Sequence, residues 1–254
     1  LVETAGKKWV RRKVSAGSIS NRLSIGAEGD EYSTGAPFDF AGRFREPVYS
    51  HFSGSKQRLA QTAPLAAKAE SAADMMAALR THRAGSSPLT KGDVAGVCMH
   101  AGGLVGDHAT SSMVVELGER VTVWLTGSSP PCLSLFVPWE FGAEPQAPVF
   151  AAGRAEEAAR WWRQREAFAR AWVGRTPPPE FYAERNALEA SCLALPAGEE
   201  RTRRAGEEAA AFFAKWVPAA EQAGPRRGAG RFLRYWENKD RALAQPERPV
   251  VSGD

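Results

Sequence analysis

The chain has 254 residues, 43% hydrophobic and 24% charged, which is ordinary globular composition and enough length to bury a substantial core. Its 33 Lys+Arg against 29 Asp+Glu leave a net charge of +4, but the two signs are mixed along the chain, so nothing resembles a nucleic-acid-binding tract. No run of about eighteen apolar residues occurs to form a transmembrane helix, and no basic segment leads into an apolar core as in a signal peptide.

The chain opens on LVETAGKKWVRRKV, in which a run from Val2 is closed by Ala5-Gly6 and a β-rich segment resumes at Trp9-Val10, the pattern of a half-exposed hairpin. From Ser18 to Ile25 the residues alternate, with Ile19, Leu23 and Ile25 on one parity, which predicts a strand. Asn21 shares that apolar parity, where its carboxamide needs a partner. It either bonds nearby backbone at a strand bend or meets a ligand.

Gly26 to Pro37 reads as a loop, and its Glu28, Asp30 and Glu31 lack calcium-loop spacing and read as a solvated acidic turn. Phe38 to Phe52 is expected to be a short helix or irregular arm. Ser55 to Ala69 starts as a helix until Pro64 interrupts it, and Ser71 to Arg83 is a second helix, with Ser71 and Asp74 at capping-box spacing and Met75, Met76 and Leu79 as its apolar stripe.

Four runs rich in Val, Leu and Phe predict an antiparallel sheet: Val94 to Met99, Ser112 to Leu117, Val121 to Thr126 and Leu133 to Val137, with a tight turn at Gly118-Glu119-Arg120. Met113, Val115 and Leu117 share one parity and predict its apolar face. Cys98 and His100, two apart on a strand, would point the same way and could form a metal site or a thiolate-imidazole pair with His108 nearby. With no fourth Cys or His close in the sequence, no metal is assigned. A catalytic Cys-His pair usually draws its partners from different segments, so no nucleophile is assigned to the pair, and His100 is retained as a loop residue lining a substrate. Cys98, Cys132 and Cys192, odd in number and widely spaced, argue against a disulfide framework and for a reducing, cytoplasmic setting.

Gly142 to Gly153 turns to Pro, Ala and Gly and reads as a linker. Amphipathic helices are predicted over Ala155–Val173, Phe181–Leu195, Glu199–Val217 and Gly230–Leu243. The arginines at 226, 227, 231 and 234 are followed by Glu237 and Asp240 and read as a solvated face, and the tail from Gln245 to Asp254 as disordered.

LVETAGKKW followed by SISNRLSIG resembles the secernin family, the branch of N-terminal-nucleophile amidohydrolases that includes dipeptidases of the A type. Further resemblances fall in order at Phe38-Asp39-Phe40, Ser55 to Arg58, Val97-Cys98-Met99-His100, Thr110 to Val114, Trp124 to Ser134 with Phe136-Val137-Pro138, and Trp161-Trp162-Arg163 with Arg165-Glu166. From Thr176 onward the likeness is loose. The resemblance implies a layered α/β fold of the N-terminal-nucleophile hydrolase kind, an αββα sandwich of which this chain supplies part: residues 1–141, then a linker at 142–153, a helical extension at 154–244 and the tail. It implies a cysteine-type dipeptidase or amidohydrolase whose nucleophile is the first residue of the processed chain, upstream of Leu1, so that this chain alone is inactive. In that family an asparagine matching Asn21 stabilises the oxyanion and an arginine matching Arg58 supports the nucleophile; the residue-level alternative for Arg58 is an exposed helix face. No cofactor is expected. The expected partners are a small peptide or amide substrate and the amino-terminal part of the same domain, with room for self-association into a homo-oligomer, and neither nucleic acid nor membrane. The family also includes members of uncertain activity, so a non-enzymatic interaction protein and an acyltransferase passing the acyl group to an amine stand beside the hydrolase.

Overall fold

Val2–Ala5 (β1) and Lys8–Arg11 (β2) form the expected antiparallel hairpin, with Glu3 opposite Val10 and Thr4 opposite Trp9. The two residues between them need Gly6, whose φ of +58° begins a turn that follows the strands' twist. The computed structural model describes residues 1–102, 106–143 and 153–244. The expected linker lies for the most part, and the expected disordered tail entirely, outside the described residues.

Glu31–Tyr32 (β3), within the segment expected to be loop, adds a third strand to β2. Val10, Ile25, Tyr32 and Phe40 form a small core against this sheet, with Leu1, Leu23, Phe38 and Phe44 packed around them. Residues 18–25 are not a strand. Glu3 is buried on β1, and its carboxylate accepts hydrogen bonds from the Ser24 and Ile25 amides and the Ser24 hydroxyl at 2.7–2.9 Å. A charged acceptor thus takes the place of a ladder partner and peels the segment away from the sheet. A tight Ser20–Arg22 bridge reverses the chain at Asn21 and leaves Ile19 exposed.

Short helices follow at Phe40–Phe44 (α1), capped by the Asp39 side chain on the Gly42 amide, and Pro47–Phe52 (α2). Ser55–Ala66 (α3) continues through Pro64, because near the carboxy end of a helix the missing N–H removes a single bond. Ala72–Leu79 (α4) carries the full Ser71/Asp74 capping box, and a single turn follows at Pro88–Lys91 (α5).

The predicted strand at Val94 to Met99 is instead a series of bends closed by an Asp93–His100 bridge. Asp93 explains the change: one carboxylate oxygen accepts the Ala95 amide at 3.0 Å, a local bond that competes with a ladder. Gly54, at φ +67°, lets this loop lie on the start of α3, since a Cβ there would stand 2.9 Å from the Ala95 Cα.

The second sheet, Met113–Glu116 (β4), Thr122–Leu125 (β5) and Val137–Glu140 (β6), is antiparallel throughout, with Val114 opposite Trp124 and Trp124 opposite Pro138. Its last strand begins where the prediction ended it, because Pro130-Pro131 open a turn that runs past Cys132. The face assignment also reverses. Val114 and Trp124 enter a core with Met76, Phe136, Cys192 and Ala205, whereas Met113, Val115 and Leu117 are 58%, 40% and 84% exposed.

Ala155–Ala171 (α6), Pro179–Ala194 (α7), Glu199–Glu221 (α8) and Gly230–Ala244 (α9) follow the predicted helices closely. Phe168, Trp172, Phe181, Phe212, Phe213 and Trp216 make the main core, and Cys98, Cys132, Leu133 and Leu135 from the earlier half complete it. The architecture is therefore mixed α and β, two small antiparallel sheets with helices. Buried ion pairs tie the layers: Arg201 on α8 donates to Glu140 on β6 and to the Thr122 hydroxyl, and Arg80 after α4 grips Glu189 on α7.

Candidate functional sites

Asn21 sits at the exposed tip of the Ser20–Arg22 reversal. Arg58 is buried at 7% exposure, not on the solvent face of α3, and one guanidinium nitrogen donates to the Ser53 and Val94 carbonyls at 2.6 and 2.7 Å. It thereby joins the start of α3 to the loop that leads to Cys98 and His100. The segment bearing Asn21 also meets α3: the Ser18 hydroxyl bonds that of Thr62, which itself donates to the Arg58 carbonyl at 3.0 Å. The chain thus brings the Asn21 segment and the Arg58 helix side by side.

His100 lies elsewhere, in a second constellation. Arg80 caps α4, and the chain leaves the helix through Thr81 and His82. The Thr81 carbonyl accepts the Cys98 amide at 3.0 Å, and the two Asp93–His100 backbone bonds, 2.8 and 3.0 Å, fix the loop that carries both Cys98 and His100. Arg83 reinforces that closure by donating to Asp93 at 3.2 Å. On the opposite side the Pro130-Pro131 turn presents Cys132. Arg80 holds this turn by donating to the Pro131 and Ser134 carbonyls at 2.8 and 2.9 Å, and Arg185 on α7 donates to the Cys132 carbonyl.

Three separate segments therefore deliver His82, Cys98, His100 and Cys132 to one place. Their ligand atoms all lie within 4.8 Å of one another, and all but the half-buried His82 are buried. His100 Nε2 is 3.2 Å from His82 Nε2 and 3.4 Å from both the Cys98 and Cys132 sulfurs. This overturns the argument that Cys98 and His100 lack further ligands. His82 and Cys132 were missed because they are distant in sequence; the C-x-H of Cys98-Met99-His100 was the only local signal.

The electrostatics separate the two thiols. Burial, with the Cys132 side chain beside it, pushes the Cys98 thiol well above its ordinary value. Burial also works against Cys132, but hydrogen bonds with Cys98, His100 and His82 and the charge of His100 outweigh it and hold that thiol well below its ordinary value. The group thus favours a thiolate at Cys132, the form that acts as nucleophile or metal ligand. His108 packs edge-on to both His100 and Trp236, accepts the Ala101 amide on Nδ1 at 3.2 Å, and is pushed by burial and by His100 down to about 4, so it is neutral at pH 7. An open pocket lined by Arg80, Ser87, Tyr182 and Arg185 reaches the cluster from the His82 and Cys132 side.

Comparison with protein-family models, with curated proteins and with solved structures found no match. Among the described residues no helix is long and apolar enough to cross a membrane.

Proposed function

We propose that this chain forms the carboxy-terminal part of a cysteine-type amidohydrolase or dipeptidase, which cleaves amide bonds in small peptides through an acyl-enzyme on a leading cysteine upstream of Leu1. The sequence resemblance supplies the reaction class. The observation that carries the reading to particular residues is the Ser18–Thr62 contact, which sets the Asn21 segment against the helix of buried Arg58. Attack of a thiolate on an amide carbonyl places negative charge on oxygen, and a held carboxamide N–H stabilises that charge as it develops. Asn21, exposed at a backbone reversal, has that group to offer. Arg58 serves as a positioning residue, because its guanidinium donates to the Ser53 and Val94 carbonyls and so fixes the start of α3. Free, buried Cys98, Cys132 and Cys192 fit a reducing compartment, which we take to be the cytoplasm.

The test is dipeptide hydrolysis by the protein bearing its upstream segment, with mass spectrometry to locate the acyl group trapped from a slow substrate. The reading requires the adduct on the leading cysteine. An adduct on Cys132 would move the nucleophile into this chain, and absence of turnover across a dipeptide panel would favour the non-enzymatic alternative. One observation lends that alternative weight: edge strand β4 presents Met113 and Val115 to solvent, a row on which another chain could pack.

A further inference from the structure

The contacts around His100 Nε2 cannot all be hydrogen bonds. A ring nitrogen carries either one proton or one lone pair, yet this atom has the His82 nitrogen and two sulfurs within 3.4 Å. At most one of the three is satisfied by a proton, and the others would be close polar contacts in a buried site, where an unmade bond is costly. A cation at the centre satisfies all four donors together.

The distances fit that reading. Tetrahedral zinc with bonds of about 2.0–2.1 Å to nitrogen and about 2.3 Å to sulfur sets its ligands about 3.3 Å apart for N···N and about 3.6 Å apart for N···S. The three separations from His100 Nε2 are 3.2 Å, and 3.4 Å twice, and the four ligand atoms all lie within 4.8 Å of one another. The donor set is two imidazoles and two thiols, suited to a borderline divalent metal and poor for calcium or magnesium, which take oxygen. Two thiolates also balance a dication, so the filled site is neutral, as its burial demands.

We propose that His82, Cys98, His100 and Cys132 bind one zinc-class divalent cation in a closed four-coordinate site. With all four positions taken by protein, the ion acts as a staple. It joins the exit of α4, the Asp93–His100 loop and the Cys132 turn, three segments held otherwise by polar contacts such as those of Arg80 and Arg83. A sulfur that is still protonated releases its proton as it takes up the metal, so binding strengthens with rising pH. The proposal is independent of the hydrolase reading, which places its nucleophile elsewhere and uses no metal.

The test is titration of the metal-free, reduced 254-residue chain with cobalt(II) and then zinc. One cobalt per chain should give the visible bands of a tetrahedral centre and a thiolate-to-metal charge-transfer band, and zinc should displace it at the same stoichiometry. Cys132→Ser should lower zinc affinity by more than about a hundredfold, a larger loss than follows from changing a group that only orients a ligand. His82→Gln leaves the buried thiols and His100 in place, so it keeps the fold, read by far-ultraviolet circular dichroism, while cobalt loses the tetrahedral spectrum. Cys192→Ser, outside the cluster, should bind like the parent. A folded, reduced parent that takes up no cobalt or zinc, a Cys98–Cys132 disulfide that persists in reductant, or unchanged binding in Cys132→Ser would each overturn the proposal.

Discussion

The two sheets have the same number of strands and the same antiparallel order, yet they are covered very differently. The sheet of β4, β5 and β6 buries Trp124 completely and meets α4, α7 and α8, with Arg201 reaching across to Glu140. That of β1, β2 and β3 has a core of four buried residues, leaves Trp9 38% and Val2 54% exposed, and relies on one buried carboxylate, Glu3, to hold its covering segment. Helices cover the β4–β6 sheet, whereas the β1–β3 sheet has only the small cluster of Tyr32, Phe38, Phe40 and Phe44 and holds its covering segment by hydrogen bonds to a carboxylate. On the proposed function, the catalytic asparagine belongs to the thinly covered side.

Substitutions on both sides can break this contrast. The largest effect is expected from Trp124→Ala, which empties the centre of the second sheet's core and should cost about 3–5 kcal/mol in chemical denaturation. Arg201→Met keeps volume but leaves the buried Glu140 without its partner, so a loss of about 3 kcal/mol or more is expected in chemical denaturation. Glu3→Gln removes the charge that collects the Ser24 and Ile25 amides; about 1.5–3 kcal/mol should be lost, seen by hydrogen exchange as faster opening confined to residues 18–25. A Glu3→Gln effect equal to that of Trp124→Ala and spread over the whole chain would mean that the two sheets share one cooperative core after all. The smallest change should come from Met113→Thr on the exposed row of β4, within about 0.5 kcal/mol of the parent in thermal melts.

What the sequence disclosed follows the same divide. The four long helices were legible because apolar residues recur at helical spacing over many turns, as Phe212, Phe213 and Trp216 do on α8. The β1–β2 hairpin was legible from Gly6 between two β-type runs. Where a single polar side chain decides the backbone, periodicity misled: Glu3 draws residues 18–25 out of the sheet, and Asp93 bends the run after it. On β4 the alternation was read correctly as alternation, but two-sided Val-rich strands do not say which face is inward, and Trp124 opposite Val114 settled it. The His–Cys cluster was hidden for a different reason. Its members come from three segments brought together by Arg80, Arg83 and the Pro130-Pro131 turn, and no local pattern encodes that meeting.

The central functional claim rests on Asn21, and steady-state kinetics of Asn21→Ala in the protein carrying its upstream segment test it most directly. If the carboxamide stabilises the oxyanion, kcat should fall by about a hundred- to a thousandfold with KM nearly unchanged, because the charge it meets exists only in the transition state. A folded variant whose kcat stays within a fewfold of the parent would contradict the claim and leave Asn21 a residue of the turn alone.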